Sequence, residues 1–574
     1  MRFLILFILI VQTNFLSAAS VSASEMSEHI EGYISSHSNN KNRSIVHEIY
    51  AKAGYKPLWI ASDKRIADVI KVLQNKTYNY KDKPFDSYDI KKLLYRIDNE
   101  NISVGIKLRL YAILDIKLTN SFVSLVRFVH VGDVDWYLVQ RKLKKLRESD
   151  NIKANWELSP KSMPSSGAIY GSIASGNLDS YLDSLISLKK RYMGLIAILK
   201  KYQYSDSVKI AYGSDLKIGM SDGRVHQIKT LLKRTGDLAK DSYMNNTFDL
   251  GLQQAVISYQ KRYNLAATGV VDGTTTYYMN QPRNKNLKAT ITNLDKTKLY
   301  PRSFEPEHVE VNLPDYQLRY YRDNMLHFKT NIVVGKISRP TPLFHHQIKY
   351  AVVNPTWTIP DSLIKRDLIH VLKQNPNYLE ENNIYVNGAF GSKKLNMEKL
   401  FSYEGSSKRV PYSFVQHAGE TNLLGRVKFM FPNKYAVYLH DTDNKYLLDR
   451  RYRSYSSGCV RLKNPMTLMK HLMGSKYNAS KMDTILKSLK PKTIHLSRKV
   501  PIHMLYFTVY QENGKAYFKR DIYKYDKIIE ESTEGNRKES FTMPPNDLVV
   551  VDEKGNRSPY DPEKKSTVKH KNLY

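Results

Sequence analysis

The sequence contains a single cysteine, Cys459, among 574 residues. One thiol cannot form a disulfide within the chain, so cysteine bridges are excluded as a source of stability. Acidic residues are scarce relative to basic ones, with 55 Asp and Glu against 89 Lys and Arg, and the formal net charge is +34. No apolar run beyond the N-terminus is long enough to span a membrane. Hydrophobic residues make up 41% of the chain, enough for several separate cores.

The N-terminus has the pattern of an export signal. Met1 and Arg2 lead into an apolar stretch from Phe3 to Val11, and small residues follow up to Ala23. This stretch is interrupted well before the ~20 residues that a spanning helix needs. Residues 1–23 are therefore predicted to be a signal peptide that directs export.

Export changes how the lone thiol and the charge are interpreted. Cys459 is either a reactive group or an inert buried side chain, and its count alone leaves both readings open. A strongly basic chain in the cytoplasm would favour nucleic acid as a partner. Outside the cytoplasm the abundant polyanions are instead cell-wall polymers and lipid head groups, so no nucleic-acid partner is expected.

Changes in hydrophobic periodicity divide the chain into segments. Helical spacing dominates the N-terminal third, a shorter helical unit follows, and alternation typical of strands begins near residue 305. We therefore expect a multidomain α+β protein. The predicted segments are a helical scaffold domain (24–215), a small three-helix module (216–280), a polar linker (281–304), a mostly β domain (305–529) with a helical insertion (361–412), and a disordered tail (530–574).

One stretch of the β domain carries a candidate nucleophile and base. A predicted strand from Tyr435 ends at His440, and Ser456-Ser457-Gly458-Cys459-Val460-Arg461 follows after a loop. An imidazole near a thiol can accept its proton, and a glycine before the thiol allows close approach to a substrate carbonyl. N–H groups around Cys459 are candidates for an oxyanion hole. Arg461 adds positive charge to the same loop, so the pattern favours acyl transfer.

These residues resemble the signature of the L,D-transpeptidases with a YkuD-type catalytic domain: a histidine, a loop, then Gly-Cys and an arginine two residues later. The sequences around Tyr50 to Trp59, Val334 to Pro342, Asn354 to Pro360 and Asn422 to Phe429 resemble the long Gram-negative YcbB-like branch of this family. Residues 216–280 resemble its peptidoglycan-binding module. One departure is Ser457, which stands where many members have a second histidine.

The resemblance implies a periplasmic enzyme that forms 3→3 cross-links in peptidoglycan. It implies Cys459 as the nucleophile, His440 as the base, and Gly458, Ser457 and Arg461 as residues that form the oxyanion hole or position the substrate. Peptidoglycan stem peptides and glycan are the implied partners, with no metal and no organic cofactor. Association with the outer face of the inner membrane or with other wall-synthesis proteins stays open. The insertion 361–412 is expected to form a lid over the site.

Several alternatives remain at this stage. The same cysteine could hydrolyse cross-links or release wall-bound protein, and a non-enzymatic wall-binding scaffold would need only the binding module. His440 could be a core histidine and Arg461 a structural ion-pair partner. A serine acyl transferase of the penicillin-binding type is disfavoured, because Ser187-Leu188-Lys189-Lys190 has no Lys-Thr-Gly strand after it and Ser149-Asp150-Asn151 precedes it.

Overall fold

The structure is a computed structural model that describes residues 23–36, 42–60, 63–203, 208–536, 549–551 and 557–559. The predicted signal peptide lies almost entirely outside the described residues. Among the described residues, no helix combines the length and the apolar character needed to cross a membrane.

The N-terminal half is helical. Its elements are α1 (Ala23–Ser36), α2 (Arg43–Lys52), α3 (Asp63–Gln74), α4 (Ser87–Asn99), α5 (Val104–His130), α6 (Trp136–Ser149), α7 (Ser166–Ser175), α8 (Leu178–Leu185), α9 (Lys189–Gln203), α10 (Arg224–Thr235), α11 (Leu250–Arg262), α12 (Gly273–Met279) and α13 (Arg283–Thr297).

Local signals explain why the helices of the small module begin where they do. Asp249 accepts a hydrogen bond from the Leu252 N–H at 2.7 Å, and Asp272 accepts one from the Thr275 N–H at 2.6 Å. A side-chain oxygen at this position satisfies an N–H group that the first helical turn leaves without a partner. The three helices predicted between residues 216 and 280 are therefore confirmed as α10, α11 and α12.

The C-terminal half contains most of the strands. They are β1 (His308–Asn312), β2 (Gln317–Arg322), β3 (Met325–Gly335), β4 (His345–Val353), β5 (Trp357–Thr358), β6 (Ile384–Val386), β7 (Ala389–Phe390), β8 (Phe414–Gln416), β9 (Val427–Met430), β10 (Leu439–His440), β11 (Ser454–Ser456), β12 (Val460–Leu462), β13 (Lys492–Leu505), β14 (Val509–Glu512), β15 (Lys515–Phe518), β16 (Val549–Val551) and β17 (Arg557–Pro559).

The helices of this half are shorter than those of the scaffold. They are α14 (Asp361–Leu363), α15 (Ile369–Gln374), α16 (Tyr378–Glu381), α17 (Met397–Phe401), α18 (Pro465–Met473), α19 (Ala479–Lys487) and α20 (Tyr525–Glu530).

A nine-stranded sheet forms the centre of the β domain, in the order β11-β3-β12-β10-β9-β4-β13-β1-β2. Additional pairing of β2 with β3 closes this sheet on itself. The residues that point inward form one apolar core, to which α6 of the scaffold also contributes through Trp136, Val139 and Leu143. The helical and β halves are therefore joined by shared packing.

The insertion is a small unit with a core of its own. The chain leaves the nine-stranded sheet after β4 and rejoins it at β9, and in between β5 and β8 form a separate four-stranded sheet with β6 and β7 in the order β5-β8-β6-β7. The predicted helix at the start of the insertion spans α14 to α15, and its middle turn, Ile364–Leu368, is π-helical. Leu368, Leu379 and Phe414 are buried in its core.

The segment 281–304, expected as a polar linker, is for the most part helix α13, which corrects that expectation. Its polar side chains are buried because tertiary partners satisfy them. Asn293 donates to Thr508 Oγ1 at 2.8 Å, and Lys296 donates to Asp526 Oδ1 at 2.7 Å. A polar composition therefore does not make this segment flexible.

The start of the segment predicted as a disordered tail also differs from expectation. Ser532 is fully buried, and its carbonyl accepts the Asp135 N–H at 2.8 Å. Glu534 N–H donates to the Asp133 carbonyl at 3.0 Å. β16 and β17 pair with each other farther along, and the remainder of the tail lies outside the described residues.

Asn513-Gly514, a dipeptide typical of hairpin turns, joins β14 and β15, and this hairpin packs against the helical half. Val509, Ala516 and Phe518 belong to the core of the scaffold and module. A buried ion pair holds this contact: Arg262 Nε donates to Asp237 Oδ1 at 2.9 Å, and Arg262 Nη1 donates to the Ala516 carbonyl. Both charged side chains are 1% exposed or less.

We predict that Asp237→Ala lowers the free energy of unfolding by about 3–5 kcal/mol, because it leaves the Arg262 guanidinium buried without its counter-charge. Urea unfolding followed by circular dichroism measures the effect. The exposed Asp241→Ala is the matched control and should change stability by less than about 0.5 kcal/mol. Equal midpoints for the two variants would show that the buried pair does not hold the interface.

Candidate active site

Two neighbouring strands bring the predicted base and nucleophile together. β10 and β12 pair in parallel, with Leu439 opposite Val460 and His440 opposite Arg461. Cys459 directly precedes β12. Residues opposite each other in adjacent strands project on the same face of a sheet. The pairing therefore places the imidazole, the thiol and the guanidinium at one end of two adjacent strands.

A turn before β10 replaces part of the strand that the sequence predicted from Tyr435. The Asn433 side chain accepts the N–H groups of Tyr435 at 3.0 Å and Val437 at 3.3 Å, and Ala436 adopts a positive φ of 53°. An asparagine that bonds to nearby backbone in this way favours a turn over a strand. The turn has a consequence for the site, because the Cys459 Sγ lies 3.9 Å from the Ala436 carbonyl oxygen.

The backbone before the thiol is held by Ser456. Its hydroxyl donates to the Cys459 carbonyl at 2.5 Å and accepts the Gly458 N–H at 3.1 Å. Gly458 has a φ of 123°, which a residue with a Cβ rarely adopts. This N–H is bound to a hydroxyl in the structure, so the role of Gly458 in an oxyanion hole stays a prediction.

Burial controls the protonation of both reacting groups. Desolvation, together with the nearby Arg461 charge, lowers the pKa of His440 to about 3. Burial raises the pKa of the Cys459 thiol, although hydrogen bonds from Tyr438 and the Arg461 charge oppose the increase. At neutral pH the site therefore holds a neutral imidazole and a protonated thiol. The proton must leave the thiol during attack, which is general-base catalysis rather than a preformed ion pair.

Polar atoms without protein partners surround these two groups. Arg461 is 3% exposed, and its Nε and Nη1 atoms have no hydrogen-bond partner within the described part of the chain. The same holds for His440 Nδ1. Asp443 contributes negative charge toward the Arg461 guanidinium. Buried polar groups normally have partners, so a bound anionic or carbonyl group of a substrate would complete this arrangement.

Two further residues, Tyr438 and Lys428, lie beside the thiol and had no role predicted from the sequence. Tyr438 lies two residues before His440, and the two rings are 5.6 Å apart. The Lys428 ammonium lies 5.6 Å from the Tyr438 ring centre, and its charge also reaches Cys459. Alternation along a strand places Tyr438 and His440 on one face, a signal that could have identified Tyr438. Nothing local in the sequence indicates Lys428.

Ser457, the residue that stands in place of the family's second histidine, lies beside the thiol with its side chain exposed. Its Oγ accepts a hydrogen bond from Arg339 Nη1 at 2.7 Å. Serine offers neither an imidazole base nor a ring to position a substrate. The contact with Arg339 instead connects the nucleophile loop with a distant part of the chain.

A cavity of about 670 Å³ lies close to these strands but does not hold the nucleophile. Asp441, Lys445, Lys463 and Asn464 line it, and all of them follow the C-terminal ends of β10 and β12. Cys459 precedes β12 instead. His440 is the last residue of β10 and directly precedes the lining residue Asp441, so the cavity adjoins the strand end that carries His440 and not Cys459.

A buried histidine, a thiol after a left-handed glycine and an unsatisfied arginine on one sheet are groups that an acyl-transfer site of the cysteine-nucleophile class would use. Among the residues that the structure describes, no group of three or more His, Cys, Asp or Glu side chains is arranged to hold a metal ion. The assignment of the site residues therefore rests on the cysteine and its neighbours.

Comparisons with known proteins identify the domains. Residues 306–502 match the L,D-transpeptidase catalytic domain, residues 44–199 match a scaffold domain, and residues 221–279 match a putative peptidoglycan binding domain. The chain therefore contains an L,D-transpeptidase catalytic domain, together with a helical scaffold and a module of the peptidoglycan-binding type.

One curated relative agrees with this domain assignment, and solved L,D-transpeptidase structures match the chain only weakly. A putative L,D-transpeptidase of Haemophilus influenzae is 36% identical over 220 residues, which is 38% of this chain and 44% of that protein. The aligned part thus spans less than half of the curated relative. An L,D-transpeptidase structure from Xylanimonas cellulosilytica is 14% identical with a TM-score of 0.17, covering 51% of this chain and 99% of its own. One from Stackebrandtia nassauensis is 12% identical with a TM-score of 0.20, covering 51% and 97%.

The protonation states lead to a prediction about thiol reactivity. We expect the rate of Cys459 alkylation by iodoacetamide to rise steadily from pH 6 to pH 9, because the raised thiol pKa leaves little thiolate at neutral pH. Intact-mass measurement follows the reaction, and Cys459→Ser is the control that should remain unmodified. A rate that is constant between pH 6 and pH 8 would instead indicate a thiolate already paired with an imidazolium.

Proposed function

We propose that this chain is an exported L,D-transpeptidase that forms 3→3 cross-links between peptidoglycan stem peptides. The main supporting observation is the parallel register of β10 and β12, in which His440 is opposite Arg461 and Leu439 is opposite Val460, the neighbour of Cys459, within residues that match an L,D-transpeptidase catalytic domain. A thiol nucleophile, a neutral base and an unsatisfied cation are the groups that acyl transfer from a peptide with carboxylates requires.

In the first half of the reaction, the Cys459 sulfur attacks the carbonyl carbon of the third stem residue, a diaminopimelate. His440 accepts the thiol proton and returns it to the nitrogen of the leaving D-alanine, as the carbon–nitrogen bond breaks and a thioester forms. The neutral state of His440 leaves a ring nitrogen able to accept this proton, although its lowered pKa makes the imidazole a weak base in the resting site. The buried Arg461 stabilises negative charge of the substrate or of the oxyanion.

In the second half, the side-chain amine of another stem attacks the thioester carbonyl. The carbon–sulfur bond breaks, the amine proton passes through His440, and the thiol is restored. The product is an amide between two third-position residues. Water in place of the amine would give hydrolysis, which is the second candidate function for the same cysteine.

The insertion 361–412 supports transfer over hydrolysis. Its core includes Trp357 and Ile359 of the catalytic domain and packs against Tyr438, the residue beside the thiol. A segment that covers the site would exclude water from the thioester, as closing segments do in other enzymes. We therefore assign the insertion the role of a lid.

Location and partners follow from the same proposal. The N-terminal signal pattern and the excess of basic residues fit a periplasmic protein that acts on an anionic wall polymer. The peptidoglycan-binding-type module packs into the same core as the scaffold, so it would hold the wall in a fixed relation to the rest of the enzyme.

We predict that Cys459→Ser and His440→Ala each reduce cross-linking of a purified disaccharide-tetrapeptide by at least about a hundredfold. A serine hydroxyl is far less ionised than a thiol, and loss of the imidazole removes the proton acceptor. Chromatography and mass spectrometry of the products measure the 3→3 dimer. The control is the exposed Lys408→Ala on the insertion, which should retain wild-type activity.

The product composition distinguishes the two candidate functions. Wild-type enzyme should convert tetrapeptide into 3→3 dimer with little free tripeptide. Accumulation of tripeptide without dimer would favour hydrolysis. If Cys459→Ser retained near-full activity, the assignment of the nucleophile would be wrong, and a carbapenem adduct on the wild-type thiol gives an independent check of that assignment.

A further inference from the structure

Arg339 connects the insertion with the nucleophile loop. One of its nitrogens, Nη1, donates to Ser457 Oγ at 2.7 Å and lies 3.3 Å from Asp367 Oδ2 of the insertion. Arg339 is 7% exposed and Asp367 is also 7% exposed. The Arg339–Asp367 half of the bridge is therefore largely removed from water, where charge-assisted hydrogen bonds are strongest, whereas Ser457 is exposed.

The loop that carries Arg339 is rigid. Gly335 lies so close to this loop that an added Cβ would be 2.1 Å from the Arg339 carbonyl oxygen. Its N–H donates to Thr341 Oγ1 at 2.9 Å, and its carbonyl accepts the Tyr523 hydroxyl at 2.6 Å. The next residue, Lys336, donates its N–H to the Ser456 carbonyl at 2.9 Å. The guanidinium thus extends from a fixed base that is itself bonded to the nucleophile loop.

On the insertion side, a π-helical turn carries the partner of Arg339. The turn Ile364–Leu368 contains Asp367 between the buried residues Ile364 and Leu368. A π-helical turn is wider than an α-helical turn, is unfavourable in isolation, and occurs often at functional sites. Here it brings a carboxylate onto the buried face that would otherwise hold only apolar side chains.

We propose that Arg339 is a positioning residue through which the docked insertion holds Ser457 and Gly458 in the geometry that acylation of Cys459 requires. This inference rests on the proposed transpeptidase function. It makes the insertion part of the acylation machinery as well as a cover, since Asp367 of the insertion and the Ser457 side chain contact the same nitrogen of Arg339. Release of the insertion would loosen the segment that must bind the oxyanion.

If the Arg339–Asp367 ion pair only stabilised the fold, its loss would have different consequences from a loss of positioning. Loss of stability alone leaves the reactivity of the folded enzyme unchanged, and it affects small and large reagents equally. Loss of positioning affects only the reaction that needs the oxyanion geometry. Iodoacetamide alkylation needs an accessible thiol and no oxyanion hole, whereas acylation by a stem peptide needs both.

The test compares Arg339→Ala and Ser457→Ala with the wild type in the full-length protein. We expect kcat/KM for acylation by a disaccharide-tetrapeptide, followed as released D-alanine, to fall roughly 10–100-fold, the effect of a displacement of about 1 Å at a reacting centre. Iodoacetamide alkylation of Cys459 should stay near the wild-type rate. Hydrogen–deuterium exchange of residues 456–460 should become faster in Arg339→Ala.

Arg409→Ala, an exposed arginine of the same insertion, is the matched control and should resemble wild type in all three measurements. Unchanged acylation and exchange in both variants would overturn the proposal, as would an equal loss of acylation and alkylation. If Arg339→Ala fails to fold, the exposed Ser457→Ala decides the question. If wild type itself is not acylated, the proposed function fails, and exchange in residues 456–460 still shows whether Arg339 holds the loop.

Discussion

The parallel pairing of β10 with β12 is the constraint on which the site depends. These strands are two and three residues long, yet their register places His440 opposite Arg461 and brings Cys459 to the start of β12. Such short strands hold their register because their neighbours β9 and β3 pair with them on either side. The closed sheet therefore supplies the geometry, and the loop between the strands contributes only its length.

Burial sets the chemistry of this site. A histidine with its pKa lowered to about 3 and a thiol with a raised pKa are both neutral in the resting enzyme, so little charge is buried before substrate arrives. The cost of burying charge is confined to Arg461, which retains two unsatisfied nitrogens. An anionic substrate would relieve that cost on binding. Binding of a charged substrate would therefore lower the free energy of the resting site more than water would.

The domains of this chain share apolar cores, and this shared packing connects them mechanically. The hairpin β14–β15 belongs to the β domain in sequence but to the helical core in space, and α6 shows the reverse arrangement. Helix α13 has buried polar contacts to both halves: the Tyr80 hydroxyl of the scaffold donates to Asp295 Oδ1 at 2.6 Å, and Lys296 donates to Asp526 Oδ1 at 2.7 Å. The peptidoglycan-binding-type module, the scaffold and the catalytic sheet are therefore held to one another by shared cores.

The sequence by itself determined the class of domains, the three module helices and the hairpin at Asn513-Gly514, and it selected Cys459 and His440 as the candidate nucleophile and base, because these depend on local periodicity, turn residues and a contiguous motif. It did not reveal that residues 283–297 form a helix, that the strand before His440 is interrupted by a turn at Ala436, or that Arg339 contacts Ser457 across 118 residues of chain. Those features depend on partners far away in sequence, such as Thr508 for Asn293. Only the tertiary structure brings such partners within hydrogen-bond distance, and polar residues look alike in sequence whether water or a distant side chain satisfies them.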